Sequence, residues 1–361
     1  MRDIRNYSLL AHNTFGIDAK CSRFLEYEDE DEAEQVAKIL RESAMPYIII
    51  GGGSNLLLTK DFDGIVVHSA VKGICVEYER SGKGTDFLTR SQAHILSDLV
   101  DGLDDCVSVR CGSGEVFDDV VAYCVAHNYY GAENLSLIPG EVGASVVQNI
   151  GAYGAEVSQL YPFIEAIDIE TGEFVMINYD DCDYRYRWSK FKGEWKNRYL
   201  IVAVHYQLSC YYEPALGYGN IQAELERKGI SKPTAQQLRE TIIDIRNAKL
   251  PDPKVTGNAG SFFMNPVVSR DLYEKLAAQY PQMPHYYIDE EHEKIPAGWM
   301  IEQCGWKGRS LGRAGVHDKQ ALVLVNRGGA TGEEIVTLCR QIQHDVKEKF
   351  GIEIQPEVNI I

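Results

Sequence analysis

Hydrophobic positions recur along this chain with two periods. A spacing of three and four residues places Ala33, Val36, Ala37 and Leu40 on one face of a helix. The same spacing groups Phe117, Val120, Val121, Cys124 and Val125. A third helix is expected to begin at Thr234, where Gln237 can complete a capping box, with Leu238, Thr241, Ile242 and Ile245 facing inward. Pro251 and Pro253 stop it, because proline lacks the N–H that the ladder needs and clashes with the preceding turn. A last helix is expected over 331–350, with Ile335, Leu338, Cys339, Ile342 and Val346 on one stripe.

Shorter apolar runs read as strands. Tyr47 to Ile50 ends in glycines. Residues 164–169 and 174–177 flank a Glu-Thr-Gly turn and predict a hairpin, 199–208 is rich in strand formers, and 352–361 forms a β-like tail. The mixture predicts an α+β fold. At 361 residues the chain exceeds what one core usually carries, so two or three domains are expected, with the best internal boundary at 249–253.

Composition narrows the picture. Hydrophobic residues at 45% and charged residues at 25% exclude a largely disordered chain. The net charge of −17 repels a polyphosphate backbone, so nucleic acid is excluded as a partner class. Acids crowd residues 26–34, where they suit the start of a helix and a solvated face. Nine cysteines without a CxxC argue against a disulfide framework and a zinc ribbon, and no metal site is expected. The first fifteen residues lack the long apolar core of a secretion signal, and no run reaches the length of a membrane span. A cytoplasmic protein is expected.

Three glycine-rich stretches carry the first chemical signal. Gly51-Gly52-Gly53-Ser54-Asn55 follows an apolar run, an arrangement that lets backbone N–H groups approach a phosphate, or simply makes a tight turn. Cys111-Gly112-Ser113-Gly114-Glu115 precedes the helix at Phe117. The third runs from Ile138 through Gly140, Gly143 and Ser145 to Gln148, Asn149, Gly151 and Gly154. It mixes glycines with amide and hydroxyl side chains that can bond the edge of a heterocycle, as a site for a dinucleotide requires. A glycine-rich turn region is the plain alternative.

Taken in order, GGGSN, GSGE, GAENLSLIPG, QNIGAYG and GNAGSFF resemble the signature of the UDP-N-acetylenolpyruvoylglucosamine reductases. The resemblance runs from Asn13 to Glu357. It implies a two-part FAD-binding module of the vanillyl-alcohol-oxidase-like class plus a separate α+β substrate-binding domain. The divisions it implies are 1–70 with 352–361, then 71–250, then 251–351. It implies noncovalent FAD, held by Gly51, Gly52, Gly53, Ser54, Asn55, Gly112, Gly114, Gly140, Gly143, Ser145, Gln148, Asn149 and Gly151. NADPH would donate hydride, and the flavin would pass it to an enolpyruvyl ether of a UDP-sugar in peptidoglycan precursor synthesis. A monomer is expected.

That chemistry asks for a cation at the substrate carboxylate, an acid beside it and a proton donor for the adjacent carbon. By the resemblance these are Arg187 in YRWSKFK, Glu357 in QPEV and Ser261 in GNAGSFF. Read without it, each has a plainer role: Arg187 as a surface cation on aromatics, Ser261 as a turn residue, Glu357 as an exposed acid. Tyr186, Tyr218, Lys249, Asn265 and Gln303 match substrate-side positions, and Tyr218 in LGYGN is similar to the loop tyrosine of one subclass. Trp188, Glu141, Ala144, Val146, Val147 and Met264 depart from the usual pattern, and Met264 replaces a frequent lysine. Two competing functions remain. One is a flavin oxidase or dehydrogenase of the same fold acting on an alcohol or sugar, which often tethers flavin through histidine; no tether motif surrounds His68, His94 or His127. The other is a noncatalytic flavin or UDP-sugar binder, which has no use for a placed proton donor.

Overall fold

The first helix forms where the acids crowd. Asp29 accepts a bond from the Glu32 amide at 2.8 Å, Glu30, Asp31 and Glu32 occupy the first turn, and Arg41 sits in the last. Opposite charges thus face both ends of the dipole. The helix spans Glu30–Glu42 and buries Ala33, Val36, Ala37 and Leu40, the face expected from spacing. A computed structural model describes residues 1–81, 84–87 and 106–361 of the chain. His94 lies outside the described residues.

Contacts divide the chain into two units. The first comprises 1–7, 22–52 and 63–246; the second comprises 8–21, 53–62 and 247–361. The second boundary falls within a few residues of the Pro251–Pro253 break. Residues 8–21 and 53–62 group with the C-terminal residues in the second unit.

In the first unit, four strands run in the order Arg2–Ser8, Lys20–Tyr27, Phe62–Ser69, Tyr47–Ile50. The last two are parallel, with Ile50 opposite His68. A six-stranded sheet runs Phe174–Ile177, Phe163–Asp168, Tyr199–Ser209, Cys106–Gly112, Ile74–Ser81, Gly84–Phe87. The expected hairpin is its edge, Ile164 pairing Ile177. The helix Glu30–Glu42 packs Val36, Ala37 and Leu40 against Leu25 and Val67 of one sheet and Ile167, Leu200 and Val202 of the other. Phe117–Ala126 covers the six-stranded sheet through Phe117, Val120, Val121 and Cys124, against Val107, Val109, Val204 and Tyr206. The Thr234 capping box forms as expected, with the Gln237 amide donating to Thr234 Oγ1 at 3.2 Å and the Thr234 amide to Gln237 Oε1 at 3.0 Å.

In the second unit, Thr331 and Glu334 form another capping box at the start of the helix Gly332–Phe350. Its stripe packs on Phe262, Phe263, Met300, Ile301, Val316 and Leu324. Gly351, at φ +69°, closes it. The tail is less regular than expected. Only Asn359–Ile360 forms a strand, parallel to Leu56–Leu57, and Pro356 bridges Phe263. All nine cysteines are free thiols. Among the described residues no helix is long and apolar enough to cross a membrane.

One buried ion cluster lies in the six-stranded sheet. Glu165 accepts from Arg110 Nε at 3.0 Å and Nη2 at 2.5 Å, and from His205 at 2.7 Å. Burial alone would raise its pKa; the bonds to His205 and Arg110 outweigh it and hold the carboxyl at about 2. A depressed carboxyl pKa stabilises the fold above the unfolded value, and that stabilisation is lost as pH falls toward 2. It amounts to at most roughly 3 kcal/mol. Glu165→Gln should therefore flatten the decline of the urea midpoint between about pH 4.5 and pH 2. An unchanged decline would assign acid sensitivity to other carboxylates.

Candidate active site

The first unit brings the glycine-rich stretches together. A Cβ on Gly51 would lie 3.0 Å from Ala144 Cβ and 3.3 Å from Glu141 Oε2; one on Gly52 would lie 3.3 Å from Glu141 Oε1. Gly143 stands equally close to Ser113. Gly112 and Gly114 press on the backbone of 69–72, where a Cβ would come within 2.5 Å of Val71 O and 2.6 Å of Ser69 O. Gly140, at φ +126°, turns the chain so that its carbonyl accepts from the Phe117 amide at 3.0 Å. Gly53, Ser54 and Asn55 belong to the second unit, so the GGGSN stretch divides between the two.

Two polar residues expected at the cofactor are committed elsewhere. The Ser145 hydroxyl is buried and bonded to Val142 O at 2.6 Å and Tyr206 Oη at 2.7 Å. Asn149 is fully buried in the left-handed region at φ +44°. It donates to Glu156 at 2.9 Å and Arg185 O at 2.8 Å, and accepts from the Ser158 amide at 3.1 Å. Both side chains brace their own loop, so a contact from these two residues to a ring edge would run through the backbone there. Gln148 is half-buried and makes no such bracket among the described residues.

Arg187 sits against this loop. Its guanidinium donates to Gly151 O at 2.5 Å and reaches Asn149 O at 3.5 Å and Glu156 at 3.4 Å. The Tyr186 ring stacks under it at 5.1 Å. Tyr218 covers the far side of the same loop: a Cβ on Gly154 would lie 3.1 Å from Tyr218 Cβ. Asn134 fastens the two segments, donating to Tyr153 O and to Ala215 O, each at 2.9 Å. Sequence reasoning missed Asn134 as a clamp, although it stands inside the GAENLSLIPG motif. It also missed Arg246. The Arg246 Nε is buried without a hydrogen-bond partner, and burial pushes its pKa down. The nearby carboxylate, Asp118, is already held by Arg239 at 2.6 Å and 3.0 Å.

In the second unit, Ser261 and Glu357 come from adjacent segments. The Glu357 amide donates to Phe262 O at 2.8 Å and the Met264 amide to Gln355 O at 2.9 Å. Ser261 is exposed while Phe262 and Phe263 anchor the core, so packing holds the backbone and leaves the hydroxyl outside. Asn55 donates to Glu357 O at 3.2 Å, which makes it a fastener of the tail. Lys249 is exposed at the end of its helix. Asn265 accepts from the Ala297 amide at 2.9 Å, at the start of the helix Ala297–Gln303; Gln303 is its last residue. These two substrate-side candidates therefore sit at opposite ends of one helix, roughly 9 Å apart along the axis.

Two of the candidate tethers, His68 and His127, lie among the described residues. His68 has both ring nitrogens bonded, to Glu26 at 2.8 Å and to Glu141 at 3.1 Å. His127 bonds Tyr123 O through Nδ1 and stacks on Tyr123. The donor set suits FAD in one respect: converging glycine turns admit a close backbone approach.

Fold and site define a flavin-nucleotide-binding oxidoreductase. Residues 22–177 match the model of an FAD binding domain, and residues 252–361 match the model of the UDP-N-acetylenolpyruvoylglucosamine reductase C-terminal domain. The chain is 50% identical over 360 residues to the UDP-N-acetylenolpyruvoylglucosamine reductase of Bacteroides fragilis, covering 99% of each. It shares its fold with the UDP-N-acetylenolpyruvylglucosamine reductase of Thermus caldophilus, with a TM-score of 0.63, 18% identity and coverage of 99% and 98%. The 6-hydroxy-D-nicotine oxidase of Arthrobacter nicotinovorans shares it more distantly, with a TM-score of 0.51, 12% identity and coverage of 98% and 86%. The chain belongs to the UDP-N-acetylenolpyruvoylglucosamine reductase family.

The bracket and the candidate contact can be separated by mutation. Asn149→Ala strands the Ser158 amide and the Arg185 carbonyl, and should cost roughly 3 kcal/mol in a denaturant melt. Gln148→Ala should change stability by less than about 0.5 kcal/mol, yet weaken FAD binding in a fluorescence titration. The reverse pattern would exchange their roles.

Proposed function

We propose that Arg187, Ser261 and Glu357 carry out the family reaction in this chain: NADPH-dependent reduction of UDP-N-acetylglucosamine enolpyruvate to UDP-N-acetylmuramate. The observation that carries this reading is the pairing of 355–357 with 262–264, which sets Ser261 beside the segment bearing Glu357. FAD, when bound, would supply the hydride chemistry that links NADPH to the terminal carbon of the enolpyruvyl group. Negative charge then grows on the adjacent carbon and its carboxylate. Arg187 meets that carboxylate with a planar, permanently charged fork. Ser261 delivers the proton to the carbon, and Glu357 assists the enol.

Tyr186, Tyr218, Lys249, Asn265 and Gln303 hold the nucleotide portion in the same proposal, with Tyr218 closing over it. Gly51, Gly52, Gly53, Ser54, Asn55, Gly112, Gly114, Gly140, Gly143, Ser145, Gln148, Asn149 and Gly151 hold FAD in the same proposal. The three-part division of the chain, a monomeric state and a cytoplasmic location belong to this proposal too.

Single-turnover kinetics of the two half-reactions test it. Ser261→Ala should leave flavin reduction by NADPH nearly intact, because that step needs no proton on the substrate carbon. It should slow flavin reoxidation by the enolpyruvyl substrate by about 10²–10⁴-fold, the usual worth of a placed acid. Equal slowing of both half-reactions, or of neither, would make Ser261 structural. Arg187→Lys keeps the charge but loses the fork, so kcat/KM should fall by at least about tenfold. An unchanged value would remove Arg187 from the carboxylate.

A further inference from the structure

A buried chain of charges ends at the glycine turn that the proposed function assigns to FAD. Arg2 donates to Glu26 Oε1 at 2.7 Å, His68 Nδ1 bonds Glu26 Oε2 at 2.8 Å, and His68 Nε2 bonds both oxygens of Glu141 at 3.1 Å. The two carboxylates and the imidazole are largely buried, while Arg2 is half exposed. Glu141 is the far end, and its carboxylate lies against Gly51 and Gly52, 3.3 Å from where either would carry a Cβ. The strand pairing of Ile50 with His68 fixes the imidazole beside the start of that turn. Phe24 stacks on the imidazole and Tyr27 lies close to Glu141, but neither brings a charge at neutral pH.

A bare carboxylate is a poor neighbour for a diphosphate. With His68 protonated, the four groups carry two positive and two negative charges. With His68 neutral, one negative charge is left over, next to the turn. We propose that His68 and Glu141 are positioning residues for FAD: Glu141 shapes the Gly51–Gly52 turn, and the His68 imidazolium cancels the charge that Glu141 brings there. This rests on the assignment of that turn to FAD.

The pH dependence has a definite sign. Burial alone would lower the His68 pKa, but the bonds and charges of Glu141 and Glu26 outweigh it and hold it above the ordinary histidine value. The imidazolium is therefore held to higher pH than that of an ordinary histidine and is lost as pH rises through that elevated value, so FAD affinity falls on the alkaline side.

The test is a titration of flavin-stripped full-length protein with FAD, at about pH 6.5 and about pH 9, with a thermal melt confirming that each variant folds. Wild-type Kd should rise by about tenfold across that interval, the effect of one uncompensated charge at short range. His68→Gln should show the weakened affinity already at the lower pH, with little further change. Glu141→Gln, which keeps the shape of the turn, should bind at least as tightly as wild type and lose the pH dependence. The double variant should return to within about threefold of wild type at the lower pH. A wild-type pH profile retained in Glu141→Gln, or a double variant no tighter than His68→Gln, would overturn the inference. Should His68→Gln fail to fold, Glu141→Gln alone still decides. A wild-type protein that takes up no FAD at either pH would instead overturn the proposed function on which this rests.

Discussion

Backbone pressed on backbone, at distances only glycine permits, organises both units. In the first, Gly112 and Gly114 meet the carbonyls of Val71 and Ser69. In the second, a Cβ on Gly53 would overlap His12 O, one on Gly257 would overlap Phe15 O, and one on Gly332 would overlap Leu58 O. These are not loops waiting for a ligand; they are packing contacts between main chains. The consequence reaches far along the sequence. The helix Gly332–Phe350 can seat its first turn on Leu58 only because residue 332 has no side chain, and the tail that follows the helix pairs with Leu56–Leu57 next door. The segment bearing Glu357 is thereby held at both ends. A glycine signature that reads as cofactor recognition is thus also a requirement of the fold, and in the proposed assignment both demands would fall on Gly53, Gly112 and Gly114.

What was legible in the sequence follows from what is local. Helix faces at 33–40, 117–125, 235–245 and 332–350, both threonine caps, and the hairpin at 163–177 are set by periodicity and by partners within a few residues. Illegible were the partners brought in from afar. Glu26 stands in a run that reads as a solvated acidic face, yet it is buried, because Arg2 and His68 arrive from neighbouring strands. Glu165, Arg110 and His205 meet across three strands of one sheet, separated in sequence by up to 95 residues (205 minus 110), and nothing in their local patterns marks them as a cluster.

The same distinction explains the site. The polar residues of the stretch from Ser145 through QNIGAYG divide between tasks that sequence does not separate. Asn149 adopts a left-handed backbone and spends its amide on 156, 158 and 185, so it builds the surface on which Arg187 rests. Ser145 points into the core at Tyr206. Arg246 shows the converse. Its position within a helix with a clear apolar face reads as ordinary, and only burial without a partner at Nε singles it out.

Arg187 itself is held in a strained way that bears on its proposed role. Its φ is +54°, a region a side chain with a Cβ enters at a cost of roughly 1–2 kcal/mol. Paired bonds between Arg185 and Trp188 close the turn around it, at 2.9 and 3.1 Å, and Lys192 Nζ bonds its carbonyl at 2.9 Å. The direction of the guanidinium is therefore set by the backbone, before any ligand acts on it. Its contacts are graded: short to Gly151 O, long to Asn149 O and to Glu156. In the proposed role, a carboxylate arriving at Arg187 would exchange with the long Glu156 contact while the bond to Gly151 continues to orient the fork. In that role the strained backbone fixes the turn that carries the guanidinium, while the side chain keeps contacts of graded length.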